Sequence, residues 1–237
     1  MLMACLQHVS FEGPGHIARW AASRGHSLRI IRLYEGEALP RADEFDLLVA
    51  MGGPMSIHDE TDYAWLVPEK RLIAQCLERD KFVLGVCLGS QLLANAFGSR
   101  VYRNRVREIG WFPIRWRQEA NHSPCLAGIT ERMNVLHWHG ETYDLPPGCV
   151  HLAESDGCFI QAFEHSSALG LQFHLELTLE ALQDLTRNCG HEIGSGCYEQ
   201  SPQRIISGES LHGEAARVTL AGILDGIERR IGNAPSR

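Results

Sequence analysis

Residues 82–97 read FVLGVCLGSQLLANAF, an apolar run from Phe82 to Val86 that enters Cys87 between Gly85 and Gly89 and then continues with helical spacing. A nucleophile on such a strand-to-helix turn is exposed on one side, and flanking glycines remove the Cβ atoms that would clash in the turn. The segment predicts a βα unit with a reactive cysteine at its apex. A helix starting near Gly89 brings its positive end toward the sulfur, which favours the thiolate over a thiol of ordinary pKa ~8.5. The plain alternative, a small buried hydrophobe, suits the other seven cysteines, Cys5, Cys76, Cys125, Cys149, Cys158, Cys189 and Cys197. The glycine frame sets Cys87 apart from them.

Upstream of this unit, further apolar β-rich runs lie at Met1 to Val9, Leu28 to Leu33 and Phe45 to Ala50, the pattern of strands covered on both faces. Helical spacing separates them at His16 to Arg24 and at Ala64 to Arg79, where Trp65, Leu66, Leu72, Ile73 and Cys76 share one face. Alternation of this kind predicts an α/β fold with a doubly wound, mostly parallel sheet whose site lies beyond the carboxyl ends of the strands. After Phe97 come short strand candidates at Ile109 to Trp116, Asn134 to Trp138, Val150 to Glu154, Phe159 to Phe163 and Leu169 to Phe173, read as an added small antiparallel layer. The chain then turns helical at Leu179 to Cys189, behind the N-cap candidate Thr178, and again at Gly213 to Ile231. Gly190 to Gly208, rich in Gly, Ser and Pro, reads as a mobile connection.

The 237 residues, 44% hydrophobic, suffice for one substantial core, so a single domain is expected over 1–237, with a catalytic region of about 1–190 and a C-terminal helical segment of about 200–231. A formal charge of −7 gives no attraction for nucleic acid or an anionic membrane surface. No signal segment and no run of the ~20 apolar residues needed to span a bilayer are seen, so the cytoplasm is expected. In that compartment most of the cysteines should be reduced and buried.

A thiolate nucleophile needs a proton donor for its leaving group. The segment LQFHLELT, residues Leu171 to Thr178, offers His174 after an apolar strand and Glu176 two positions on, on the same face. Glu176 is then placed to orient the imidazole and steady its charged form. In MGGPMS, residues Met51 to Ser56, a strand ends in two glycines and a proline. Read as an ordinary turn it says nothing; read with Cys87 it supplies an oxyanion hole, formed by the amides of Gly53 and Leu88 and worth ~3 kcal/mol of barrier per donor.

Taken in chain order, MGGP, GVCLGSQ and LQFHLEL resemble the class I glutamine amidotransferase family, with its Gly-Gly-Pro turn, GxCxGxQ and His-Pro-Glu. REIGW, residues Arg107 to Trp111, and HWHGETYDLPPG, residues His137 to Gly148, are similar to a stand-alone branch related to the amidotransferase domain of GMP synthase. The resemblance covers most of residues 1 to 180 and implies a flavodoxin-like sheet. It also implies Cys87 as nucleophile, His174 as base and acid, Glu176 as its orienter, Gly53 and Leu88 as oxyanion donors, and Gln91 with Gly52 at the substrate. The departure is Leu175, where the family usually has proline, which leaves the link between His174 and Glu176 less rigidly fixed.

The function this implies is cysteine-dependent hydrolysis of the γ-glutamyl amide of glutamine, or of a related γ-glutamyl compound, through a γ-glutamyl thioester. A γ-glutamyl peptidase acting without a partner and a catalytically silent binding or regulatory module are the alternatives. The chain carries no phosphate-loop motif, no dinucleotide fingerprint and no ATP-binding half, so no cofactor is expected. An ammonia-consuming synthetase subunit is a possible partner. His137 with His139, and Cys189 with His191, are close pairs without a full ligand set, and no metal is assigned to them. The resemblance places His139 to Glu141 in a structural loop near the pocket, and Trp111, Trp116 and Trp138 receive no role.

Overall fold

The computed structural model describes residues 1–126 and 129–233. The chain opens with β1 (Leu2–Gln7), α1 (Gly15–Ser23), β2 (Ser27–Arg32), β3 (Leu47–Ala50), α2 (Leu66–Glu78), β4 (Phe82–Val86) and α3 (Leu88–Ala96). It continues with β5 (Val101–Trp116), β6 (Arg132–Tyr143), β7 (Val150–Ser155), β8 (Ala162–His165), β9 (Ala168–Leu171), α4 (Leu179–Cys189) and α5 (Pro202–Gly232). All nine strands join one sheet in the order β2-β1-β3-β4-β9-β8-β7-β5-β6. The strands from β2 to β9 run parallel, as the near-continuous apolar runs require; from β9 onward the pairs are antiparallel. The antiparallel strands thus continue the same sheet through β8.

One buried cluster packs Met3, Cys5, Val49 and Leu84 with Trp20 of α1 and with Leu220, Ile223 and Ile227 of α5. A second joins Leu6, Leu48, Val83 and Ile31 to Leu72 and Ile73 of α2 and to Leu92 and Leu93 of α3. The pattern of alternate residues along each strand entering different clusters is that of a sheet covered on both faces.

The parallel strands end together. Ala50 of β3 pairs with Gly85 of β4, and Val86 with Leu171 of β9. The segments that leave their carboxyl ends, Met51 to Met55, Cys87 and Gln172 to Glu176, therefore share one rim, where a site is expected in an open α/β sheet. Between β4 and α3 the turn is tight enough to dictate its glycines. Cys87 takes φ 51°, ψ −107°, a strained conformation for a residue with a side chain. A Cβ on Gly89 would lie 2.0 Å from the Ala50 carbonyl oxygen, and one on Gly85 would lie 2.5 Å from the Gly89 carbonyl oxygen.

Two sequence expectations change. The stretch from Gly190 to Gly208 is not a loose connection throughout: Ile109 N donates to Tyr198 O at 2.8 Å, Gln200 N donates to Ile109 O at 2.8 Å, and α5 begins already at Pro202, capped by the Ser201 hydroxyl. Ser before Pro at the first helical turn is a legible start signal, here masked by the glycines around it. His139 to Glu141 lie on β6 rather than in a loop. Thr178 does cap α4, accepting from Ala181 N at 3.3 Å. Six of the eight cysteines are buried, with Cys149 half-buried and Cys197 exposed. Among the described residues no helix is long and apolar enough to cross a membrane.

Candidate active site

Cys87 opens onto a cavity of about 390 Å³ whose wall includes Glu12, Gly53, Gln91, Arg107, Trp138 and Glu192. Its thiol donates to the Trp138 carbonyl at 3.6 Å and accepts from Gln172 Nε2 at 3.7 Å. Burial pushes the Cys87 thiol above its ordinary value, while His174 pulls it down without prevailing. Burial therefore works against the lowering expected from the helix end, and His174 is the neighbour that favours the thiolate.

His174 Nδ1 donates to Glu176 Oε1 at 2.7 Å, and both side chains are only 2% exposed. Burial disfavours the imidazolium, but the charge and hydrogen bond of Glu176, together with the contact to Cys87, outweigh it and hold His174 well above its ordinary pKa. The backbone fixes both residues. His174 N donates to Leu136 O of β6 at 2.8 Å, and His16 N at the start of α1 donates to Glu176 O at 2.7 Å. Leu175 N donates to Glu176 Oε2 at 3.0 Å, so the residue that departs from the family pattern supplies a donor that proline lacks.

Gly53 lies against the first residue of α3: a Cβ there would sit 3.1 Å from Leu88 Cδ2 and 2.6 Å from Met55 Sδ. Neither the Gly53 nor the Leu88 amide has a hydrogen-bond acceptor among the described residues, which leaves both free to donate to a ligand. The Gly52 carbonyl is held by His8 Nδ1 at 2.9 Å, whose Nε2 faces Glu69 Oε1 at 2.8 Å. Burial opposes charge on His8, but Glu69 and the carbonyl together raise its pKa. Gln91 lines the cavity; one hydrogen of its nitrogen is given to Gln172 Oε1 at 3.2 Å, which leaves its oxygen and the second amide hydrogen for a ligand.

Several members of this rim escaped the sequence reading. Glu12, on the loop after β1, is 5% exposed and makes no side-chain hydrogen bond among the described residues. Its Oε2 would touch a Gly52 Cβ at 2.2 Å, and the same point lies 3.1 Å from His174 Cε1. Burial is the main force that raises its pKa to about 7. Gln172 stood inside the quoted LQFHLELT and His8 at the end of the first apolar run, but nothing in their spacing marks them. Trp138 takes part through its carbonyl and through Nε1, which donates to Glu192 Oε2 at 3.2 Å.

Beneath this wall, Glu108 of β5 meets His137 and His139 of β6. Glu108 Oε2 lies 3.1 Å from His139 Nε2 and 3.8 Å from His137 Nδ1. Although burial works against its charge, hydrogen bonds and the two histidines hold Glu108 at about 2. Burial lowers His137 to about 4. The sequence reading paired the histidines but had no means of finding Glu108, which reaches them only through the β5–β6 register.

Comparisons with known proteins bear on the family and the fold. The sequence profile for glutamine amidotransferase class-I matches residues 15–193. A glutamine amidotransferase-like protein, YfeJ, of Salmonella typhimurium is 38% identical over 191 residues, covering 78% of this chain and 80% of its own. The GMP synthase of Thermomicrobium roseum is 36% identical over 131 residues, 55% of this chain but only 23% of that protein. The solved structure of a glutamine amidotransferase from Thermotoga maritima superimposes with a TM-score of 0.87 at 27% identity, covering 98% of both chains. With a matching profile over most of its length and a fold shared end to end, the chain belongs to the class I glutamine amidotransferase family.

Proposed function

We propose that the protein hydrolyses a γ-glutamyl amide through a thioester on Cys87, with His174 as proton carrier and Glu176 as its orienter. The observation that carries this reading is the buried His174–Glu176 hydrogen bond of 2.7 Å, with His174 in contact with a cysteine held at φ 51°. His174 takes the thiol proton, the sulfur attacks the γ-carbonyl, and the developing oxyanion is received by the Gly53 and Leu88 amides. Collapse of the tetrahedral intermediate sends the proton from His174 to the departing amine and leaves the γ-glutamyl thioester. His174 then deprotonates a water, which releases glutamate and restores the thiol. Gln172, which donates to Cys87 Sγ, supports the sulfur while it carries negative charge. Gln91, one amide hydrogen engaged by Gln172, offers its carbonyl oxygen and its second amide hydrogen to the substrate.

Glutamine as substrate follows the family. A larger γ-glutamyl amide is a second reading, supported by the cavity of about 390 Å³, which lies in the ~300–1,000 Å³ range of sites for drug-sized ligands. Arg103, exposed on the cavity wall and without an ion-pair partner among the described residues, suits a carboxylate on such a leaving group. In the first reading a synthetase partner consumes the ammonia; in the second the protein acts alone. Release of glutamate and of the leaving amine, from glutamine and from a panel of γ-glutamyl peptides with Cys87→Ala as control, separates them. Turnover by the alanine variant sinks both; no turnover of any substrate together with no selective labelling of Cys87 by a glutamine-mimicking electrophile supports a silent binding module.

A further inference from the structure

We propose that Glu108, His137, His139 and Gln161 form a tetrahedral site for a zinc-like divalent cation under the wall of the cavity. Three ligand atoms, Glu108 Oε2, His137 Nδ1 and His139 Nε2, lie within 4.8 Å of one another, and all three residues are buried. Gln161, fully buried, adds a fourth corner: its side-chain nitrogen is 2.7 Å from Glu108 Oε2, 3.3 Å from His137 Nδ1 and 3.5 Å from His139 Nε2. Ligands held at the zinc distances of ~2.0–2.1 Å stand ~3.3–3.4 Å apart in a tetrahedron. The edges found here bracket that value.

The Gln161 amide itself points to a missing positive centre. Its nitrogen, with two hydrogens, lies within 3.5 Å of four polar atoms, since Ser155 Oγ is 3.0 Å away as well. Its oxygen is buried with no hydrogen-bond partner among the described residues, an unfavourable arrangement for a polar atom. Half a turn of the amide places that oxygen at the fourth corner, where it would repel the Glu108 carboxylate unless a cation lay between them.

The surroundings are those of a metal centre. Ligating histidines donate their second ring nitrogen to a carbonyl or carboxylate, which fixes the tautomer. His137 Nε2 faces the Phe112 carbonyl at 3.3 Å, and His139 Nδ1 faces the Glu141 carbonyl at 3.0 Å. The second oxygen of Glu108 accepts from Ser155 Oγ at 2.7 Å. A set of two imidazoles, one carboxylate and one amide oxygen suits zinc among the first-row ions. Four protein ligands close the coordination shell, so the ion braces and does not react. It would tie β5 and β6, which carry the Trp138 carbonyl, to the Gln161 backbone, whose carbonyl accepts from Gln172 N at 2.8 Å. Both Trp138 and Gln172 reach Cys87.

The test is zinc and cobalt(II) binding to chelator-treated wild-type protein and to Cys87→Ala, which removes the catalytic thiol as a competing ligand. The expected result is one equivalent bound by each, and a cobalt adduct with the visible bands of a tetrahedral ion and no thiolate charge-transfer band. Gln161→Met, checked for native circular dichroism, should weaken zinc binding at least ~10-fold, and Glu108→Gln should abolish it. Failure of the folded wild type to take up stoichiometric zinc, undiminished binding by Gln161→Met, or a cobalt–thiolate band would overturn the proposal. The cobalt spectrum of the wild type decides even if the variants do not fold.

Discussion

Leu175 N donates to Glu176 Oε2 at 3.0 Å while the other oxygen of the same carboxylate accepts from His174 Nδ1 at 2.7 Å. The carboxylate that orients the imidazole is thus itself oriented by the amide between them. Hydrogen bonds to charged groups contribute ~1.5–3 kcal/mol. Leu175→Pro removes this donor but supplies a rigid φ. The expected outcome is a fall of up to ~10-fold in kcat/KM with the fold retained, read from steady-state kinetics and a thermal melt.

Glu176 also governs how long His174 stays protonated. Because its charge and hydrogen bond help to raise the His174 pKa against burial, Glu176→Gln lowers that pKa. The limb of the pH–rate profile on which activity declines with rising pH, where His174 no longer holds the proton for the leaving amine, should move to lower pH. The measurement is kcat/KM against pH for wild type and variant; an unmoved alkaline limb contradicts the assigned role. The apparent pKa values belong to the Cys87–His174 pair.

Glu12 carries a pH-dependent cost to stability. Burial raises its pKa in the folded protein to about 7 from 4.5, so between those values the folded state holds a proton that the unfolded chain has lost. Stability therefore declines as pH rises through this window, and the cost is fully present above pH ~7. Glu12→Gln should be more stable than wild type at pH 8, by up to about 3 kcal/mol, and unchanged at pH 4. Denaturant melts at the two pH values check this.

The thiolate is expected to lean on Gln172. Gln172→Leu removes the donor that lies 3.7 Å from Cys87 Sγ and frees the Gln91 nitrogen. Alkylation of Cys87 by iodoacetamide should slow at neutral pH, by roughly 10-fold or more for the loss of one hydrogen bond to a charged atom. A rate equal to that of wild type would assign Gln172 to packing alone.

Legibility of this molecule in its sequence followed the range of each interaction. The strand Phe82 to Val86 and the helix Leu179 to Cys189 were found with their bounds because an apolar run, a glycine turn and a threonine cap are local signals. The first turns of α5 were read two ways, inside a helical segment from about 200 and inside a loose connection up to Gly208, because the glycines around Ser201 and Pro202 suggest a loop, whereas pairing of Tyr198 and Gln200 with Ile109 holds the segment. Cys87, His174 and Glu176, which the structure brings together, could be paired from sequence because they sit within two short motifs. Glu12, Gln172 and Glu108 could not, since their importance arises where loops from different strands meet, and no spacing along the chain encodes that. The surroundings of the Cys87 thiol were illegible for a similar reason: the helix start was visible in sequence, and the burial that raises the thiol against the pull of His174 was not.

The central claim is that Cys87 carries the γ-glutamyl group between the two half-reactions. Rapid acid quench of the enzyme during turnover of glutamine or a γ-glutamyl peptide, followed by peptide mass spectrometry, tests it most directly. The expected result is a γ-glutamyl adduct on the peptide containing Cys87, labile to hydroxylamine and absent from Cys87→Ala. Sustained glutamate release with no adduct on Cys87, or an adduct on another residue, would contradict it.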